Sequence, residues 1–202
     1  MRQKLDKTWK RWTFWVSLTL ILAFSFNTIS IWALPYVITD EMSDDILEPS
    51  GVSVNQFTRR VIRGAVDEPV VEGVPTQGDV VVMTCPDHFI QFCRYDVSEK
   101  PLHIHLSVPV EIAPYWSISF YAHNTDNFLV INDLDAKSKG LTELNITLVR
   151  RGVSYERQGD EMVYSPSDVG IILIRTIIPD RYSAEGQEVM RELLRLRAEA
   201  RQ

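Results

Sequence analysis

A chain of 202 residues, 45% hydrophobic and 24% charged, carries enough apolar material for one folded core and is too apolar to be disordered. Its net charge of −6 is divided unevenly: Arg2, Lys4, Lys7, Lys10 and Arg11 against Asp6 give residues 1–11 a charge of +4, which leaves −10 for the rest. An acidic remainder excludes nucleic acid as a partner, because phosphate binding needs a basic face that can release counterions.

After the basic tail of residues 1–11, the stretch Trp12 to Leu34 runs for 23 residues without a charge. At about 1.5 Å per helical residue it crosses a hydrocarbon core of about 30 Å, and so predicts a transmembrane helix embedded in lipid. Its Ser and Thr hydroxyls can bond back to helix carbonyls. Trp9, Trp12 and Trp15 mark one interface, and Trp32 with Tyr36 the other. The basic flank before it and Asp40, Glu41, Asp44 and Asp45 after it place the N-terminus in the cytoplasm and the rest outside. A cleaved secretory signal shares the basic start. Its apolar region is shorter, about 7 to 15 residues, and here Ala33 follows bulky Ile31 and Trp32, so no A-x-A site is present. An uncleaved anchor is the expectation.

Residues 35–52, rich in Pro, Asp and Glu, read as a linker, and residues 53–202 as the outer domain. Ser53 and Gln56 have capping-box spacing, and Val54, Phe57, Val61, Ile62 and Ala65 recur at helical intervals up to Gly64, which predicts a short helix. Strands follow. Gly78-Asp79 opens the run Val80–Met83, and Pro86-Asp87 is a turn before Phe89–Phe92. Leu102, Ile104, Leu106 and Val108 share a face opposite His103, His105 and Ser107. Trp116, Ile118 and Phe120 alternate with Ser117, Ser119 and Tyr121, and Leu144, Ile146 and Leu148 with Asn145 and Thr147. Such period-2 patterns predict half-buried antiparallel strands. Met162–Tyr164 and Val169–Ile178 bring the set to about eight, and Ile171–Ile174, apolar on both faces, reads as a central strand. The expected fold is mainly β: one transmembrane helix, then an antiparallel jelly-roll-like β-sandwich closed by a C-terminal helix. That last helix starts at Ser183, with Val189, Leu193, Leu196 and Ala200 on its stripe and Arg191, Arg195, Arg197 and Arg201 making it basic. It packs on the sandwich with a solvated basic side, or meets an anionic surface or acidic partner.

Chemistry-bearing motifs are absent: there is no G-x-S-x-G, P-loop, G-x-G-x-x-G or H-E-x-x-H, and no catalytic residue or cofactor is assigned. His103 and His105 point the same way from a strand, as zinc ligands can. With no third ligand at a recognisable spacing, they read as the polar face of that strand, and no metal is expected. Cys85 and Cys93 would face an oxidising compartment, yet a turn at Pro86–His88 does not set them opposite each other, and their pairing stays open.

The segment Cys93–Pro101 (CRYDVSEKP), Pro114–Asp133 (PYWSISFYAHNTDNFLVIND) and the ending Ile174-Arg175-Thr176 resemble the domain of unknown function family 1254, in particular its short membrane-anchored bacterial members, over about residues 78–195. The resemblance implies a jelly-roll-like β domain and no assigned activity. It also implies a candidate partner, a membrane protein of the related family 1214, whose domain larger members carry in the same chain. Within the resembling stretch, Asn124-Thr125-Asp126-Asn127 reads as a turn, or as the polar rim of a cleft. The expected function is therefore an inner-membrane-anchored periplasmic module that binds a partner protein or envelope component. The alternative is a small-molecule binder or enzyme with Tyr121, Asn124, Asp126 and Asn127 on the wall of a cleft.

Overall fold

A computed structural model of the chain describes residues 2–58, 88–107, 115–155, 161–177, 183–184 and 198–201. The chain divides into two compact units, Met1–Ile38 and Thr39–Gln202.

The first unit is helical. It belongs to α1, Arg2–Ser50, whose stretch Thr8–Glu48 is long and apolar enough to cross a membrane and whose apolar window has no share buried. Trp12, Phe24, Phe26 and Trp32 all stand exposed on it. The Thr hydroxyls bond back as expected: Thr13 Oγ1 donates to Trp9 O at 3.1 Å, Thr19 Oγ1 to Trp15 O at 2.9 Å, and Thr28 Oγ1 to Phe24 O at 2.9 Å. These three hydroxyls are thereby satisfied within the helix, as polar groups on an apolar surface must be in lipid.

The second unit is mainly β. Its strands are β1 (His88–Asp96), β2 (Leu102–Ser107), β3 (Trp116–Ala122), β4 (Asn127–Asn132), β5 (Glu143–Arg150), β6 (Glu161–Ser165), β7 (Val169–Ile177) and β8 (Ala198–Arg201), with the helix α2 (Asp133–Lys139) between β4 and β5. They form two four-stranded sheets, ordered β1-β7-β3-β4 and β6-β5-β2-β8. The first sheet is antiparallel throughout, and β7 sits between β1 and β3, as its two apolar faces require. In the second sheet β2 pairs antiparallel with β5 and β8, but β5 and β6 run parallel, so that sheet is mixed where an antiparallel one was expected.

The inner faces share one core. Cys93, Tyr95, Trp116, Ile118, Phe120, Ile172 and Ile174 of the first sheet are buried in the same cluster as Leu102, Ile104, Leu106, Leu144, Ile146 and Leu148 of the second. Each fully buried aliphatic side chain stabilises by about 1.5–3 kcal/mol, and a one-residue slip of any strand would carry its whole set to the wrong face. The register is therefore set by the alternation itself.

Three expectations change. Residues 35–52 are not an irregular linker: α1 continues through Pro35 to Ser50, and from Thr39 onward it belongs to the β unit. Its last turns lie on the outer face of the first sheet, where Leu47 is buried with Phe92 and Ile171. The helix expected from Ser53 is a turn over residues 53–58, because Asn55 adopts a φ of 64° and bonds Asp96 instead of continuing a helix. The last positions expected to be helical, Ala200 and Arg201, are not helix. Ala198–Arg201 is β8, taken up by the edge of β2, whose unpaired backbone groups offer a ladder that a fraying last turn lacks. The expected strand at 80–83, the turn at Pro86-Asp87, the helical positions 59–65 and the C-terminal helix over 185–197 lie outside the described residues.

α2 was not anticipated. Asn132 caps it, its side chain accepting from Asp135 N at 3.0 Å while Asp135 Oδ2 accepts from Asn132 N at 3.3 Å, and Gly140 closes it at φ 63°.

Candidate functional site

The four residues proposed for a cleft occupy the end of β3 and the β3–β4 hairpin. Thr125 has a φ of 70°, Thr125 N donates to Ala122 O and Ala122 N to Asp126 O, each at 2.9 Å. Asn124 Nδ2 donates to Asp126 Oδ2 at 2.6 Å, and Asp126 N to Asn124 Oδ1 at 3.4 Å. The Asn and Asp side chains thus hold the turn closed by bonding each other. Tyr121 packs half-buried against the cluster of Leu47, Phe92 and Ile171, and Asn127 is exposed at the start of β4. A shallow depression of about 690 Å³ lies elsewhere, lined by Asp44, Leu47, Glu48 and residues 51–54.

His103 and His105 lie on the outer, polar face of β2. His103 Nδ1 is 3.0 Å from Thr147 Oγ1, and the Tyr155 hydroxyl is 3.5 Å from its Nε2. His105 Nδ1 is 2.8 Å from Asn145 Oδ1. The cross-strand pairs His103↔Thr147 and His105↔Asn145 place these partners directly opposite. Among the described residues, no three His, Cys, Asp or Glu side chains converge as metal ligands.

Two polar clusters have no local signature in the sequence. The first is ionic. Asp40 Oδ1 accepts from Arg94 Nη2 at 2.8 Å and lies 3.0 Å from His123 Nε2, while Arg94 Nη1 donates to Asp44 Oδ1 at 2.7 Å. Arg94 projects from the outer face of β1 with its fork spread over two carboxylates one helical turn apart. The second is buried. The Tyr95 hydroxyl, from the inner face of the first sheet, lies 3.1 Å from Tyr121 O and 2.8 Å from Ser165 Oγ of β6, sharing its one hydrogen between these two acceptors. Ser165 Oγ donates onward to Ser167 O at 2.6 Å. Burial pushes the Tyr95 phenol above its ordinary pKa, and the bonds to Ser165 and Ser167 partly offset this. The cluster ties the two sheets together and keeps a phenol neutral.

Cys93 is a free thiol buried in the core, and burial pushes its pKa well up. A thiol that stays protonated and out of reach of solvent is a poor nucleophile. In the native protein at pH 8, Cys93 should resist maleimide, and it should react at the rate of a free peptide thiol once the chain is denatured. Peptide mass mapping reads it separately from Cys85, and rapid native labelling would contradict its burial.

The described residues therefore define a two-sheet β protein with an unburied apolar helix, whose polar clusters join its own elements. The family model described as "Protein of unknown function (DUF1254)" matches residues 67–197, and the chain belongs to that family. No curated protein matches it. Among solved structures, it is similar to the VPA0106 protein from Vibrio parahaemolyticus, with a TM-score of 0.54 and 14% identity, over 85% of this chain and 36% of that one. It also matches an uncharacterised protein from Burkholderia cenocepacia, with a TM-score of 0.36 and 9% identity, over 46% of this chain and 27% of that one. The chain spans about a third of the length of these structures, and at such identity the first likeness speaks for the fold alone.

Proposed function

We propose that this protein is a single-pass inner-membrane protein, N-terminus in the cytoplasm, whose β domain stands in the periplasm as a binding module for an envelope component. The carrying observation is the apolar stretch of α1: its large side chains stand exposed while those of the β strands fill a core. Such a surface needs lipid. The orientation rests on the five basic residues before the stretch and the acidic run Asp40–Asp45 after it. In this reading the two sheets are the halves of a jelly roll.

A binding role is favoured over catalysis because the polar side chains of the hairpin and of the Arg94 cluster are engaged in holding the domain's own elements. The proposed partner is a membrane protein carrying the family 1214 domain. Alkaline carbonate should leave the full-length chain in the membrane pellet. Protease added to spheroplasts should remove the β domain and spare the N-terminal residues. A soluble product beginning near Leu34 would overturn the anchor. Affinity capture from detergent-solubilised membranes that yields no specific partner would overturn the binding role.

A further inference from the structure

The last turns of α1, the outer face of the first sheet and the segment 51–58 differ in how firmly they are joined. Residues 55–58 are clamped along β1 by backbone: Asn55 N donates to Arg94 O and Thr58 N to Phe92 O, each at 2.8 Å. Phe92 N donates to Thr58 Oγ1 at 2.9 Å, and Asn55 exchanges two bonds with the Asp96 backbone, at 2.7 and 3.0 Å. This segment covers the edge that β1 presents as the first strand of its sheet.

The helix end is held differently. No hydrogen bond between backbone groups joins Thr39–Ser50 to the sheet among the described residues. Its buried Ser43 hydroxyl donates to Thr39 O at 2.6 Å, within the helix, so that bond does not depend on docking. Among the described residues it meets the sheet through a small apolar cluster, with Leu47, Phe92 and Ile171 buried and Met42, Ile46, Tyr121 and Leu173 half-buried around them, and through the ionic bonds of Asp40 and Asp44. Those two carboxylates are 44% and 71% exposed, so water and salt reach them. Between helix and clamp stands Gly51 at φ 63°, with nothing within 4 Å of the position a side chain would take. It is the left-handed residue just past the helix end, and no neighbour packs against it.

We propose that Thr39–Ser50 is a strap that opens about Gly51 as a unit, latched on the outer face of the first sheet by Arg94 and His123 against Asp40 and Asp44, and that opening bares Phe92, Ile171, Leu173 and Tyr121 while the sheets stay folded. The strap is the cover of that apolar face, and its release is what makes the face available. This concerns the β unit by itself and stands whether or not the chain binds an envelope partner.

The test is thiol labelling of the full-length chain in detergent, with Ser43→Cys and Cys85→Ser. Ser43 is buried with the strap in place, so its thiol reports the opening, and Cys93, inside the core, reports global unfolding. Position 43 should react faster than Cys93. Its rate should rise roughly tenfold in about 1 M sodium chloride or with Arg94→Gln, while the rate at Cys93 holds. Equal rates at the two positions under every condition, or a rate at position 43 indifferent to both salt and Arg94→Gln, would overturn the strap. Should Ser43→Cys fail to fold, hydrogen exchange of residues 39–50 against β3 and β7 in the unsubstituted chain reads the same opening. Exchange of all three as one unit would overturn it.

Discussion

Gly170→Ala should destabilise the β domain by about 3–5 kcal/mol and lower its melting temperature by roughly 10–15 °C. Gly170 lies in β7, opposite Tyr95 of β1 and Ala122 of β3, and it is buried. A Cβ there would run into the Tyr95 hydroxyl and ring and into the Tyr121 carbonyl. Neither side can yield cheaply. The carbonyl is backbone of a paired strand, and the Tyr95 ring is fully buried, with its hydroxyl bonded to Tyr121 O and Ser165 Oγ. Displacing the phenol breaks the bonds that join β1, β3 and β6, and leaves the buried Ser165 without that partner. Tyr95→Phe, which deletes only the hydroxyl, should cost less, about 1–2 kcal/mol. Combined with Gly170→Ala it should recover little, since the ring and the carbonyl remain in the way. Thermal unfolding of the three variants measures this. A Gly170→Ala protein that melts like the parent would mean that the close approach of Tyr95 is not required.

How much of this was legible beforehand depended on whether a signal was local. β2, β3 and β5 bury one face each, so Leu102-Ile104-Leu106, Trp116-Ile118-Phe120 and Leu144-Ile146-Leu148 announce themselves by alternation. β7 was equally plain as a central strand. β4 carries no alternation, because Phe128-Leu129-Val130-Ile131 is a short continuous apolar run directly behind a polar turn, and its register against β3 shifts at a bulge between Phe120 and Tyr121. α2 has only Leu134 and Ala136 as apolar residues, and its capping box uses Asp135 where Glu or Gln is the usual sign. The reverse error occurred at Ser53, where the spacing Ser-x-x-Gln suggested a cap, yet Asn55 turned the chain toward Asp96. Pro35 and the acidic residues after it argued against helix, and tertiary contact outweighed them. The Arg94 cluster could not be read at all, since Asp40 stands 54 residues from Arg94 and 83 from His123. Pairing at such separations is a product of the fold. The hairpin at Asn124–Asn127 was legible as a turn because its bonds are its own.

The boundary of the β domain has the second large consequence. The family match begins at Asp67, but the unit that packs together begins at Thr39. A chain starting at Asp67 lacks the clamp and Phe57, which is buried in the main core, as well as the strap. Five hydrogen bonds to β1 disappear with the burial of Phe57 and Leu47. Together these are worth on the order of 8 kcal/mol, comparable to the whole stability of a domain of this size. The bared β1 edge adds a site for strand pairing between chains. Such a chain should aggregate or show no cooperative melt. One starting at Thr39 should be soluble and melt cooperatively. One starting at Val52 discriminates between strap and clamp: it keeps the five bonds and loses only the latched helix end. It should therefore melt cooperatively, several degrees lower, and bind an apolar dye at the uncovered Phe92, Ile171 and Leu173. Size-exclusion chromatography and circular dichroism of the three chains would show it. If the Val52 chain collapsed as the Asp67 chain does, the helix end would belong to the folding unit itself, and the clamp would not be enough.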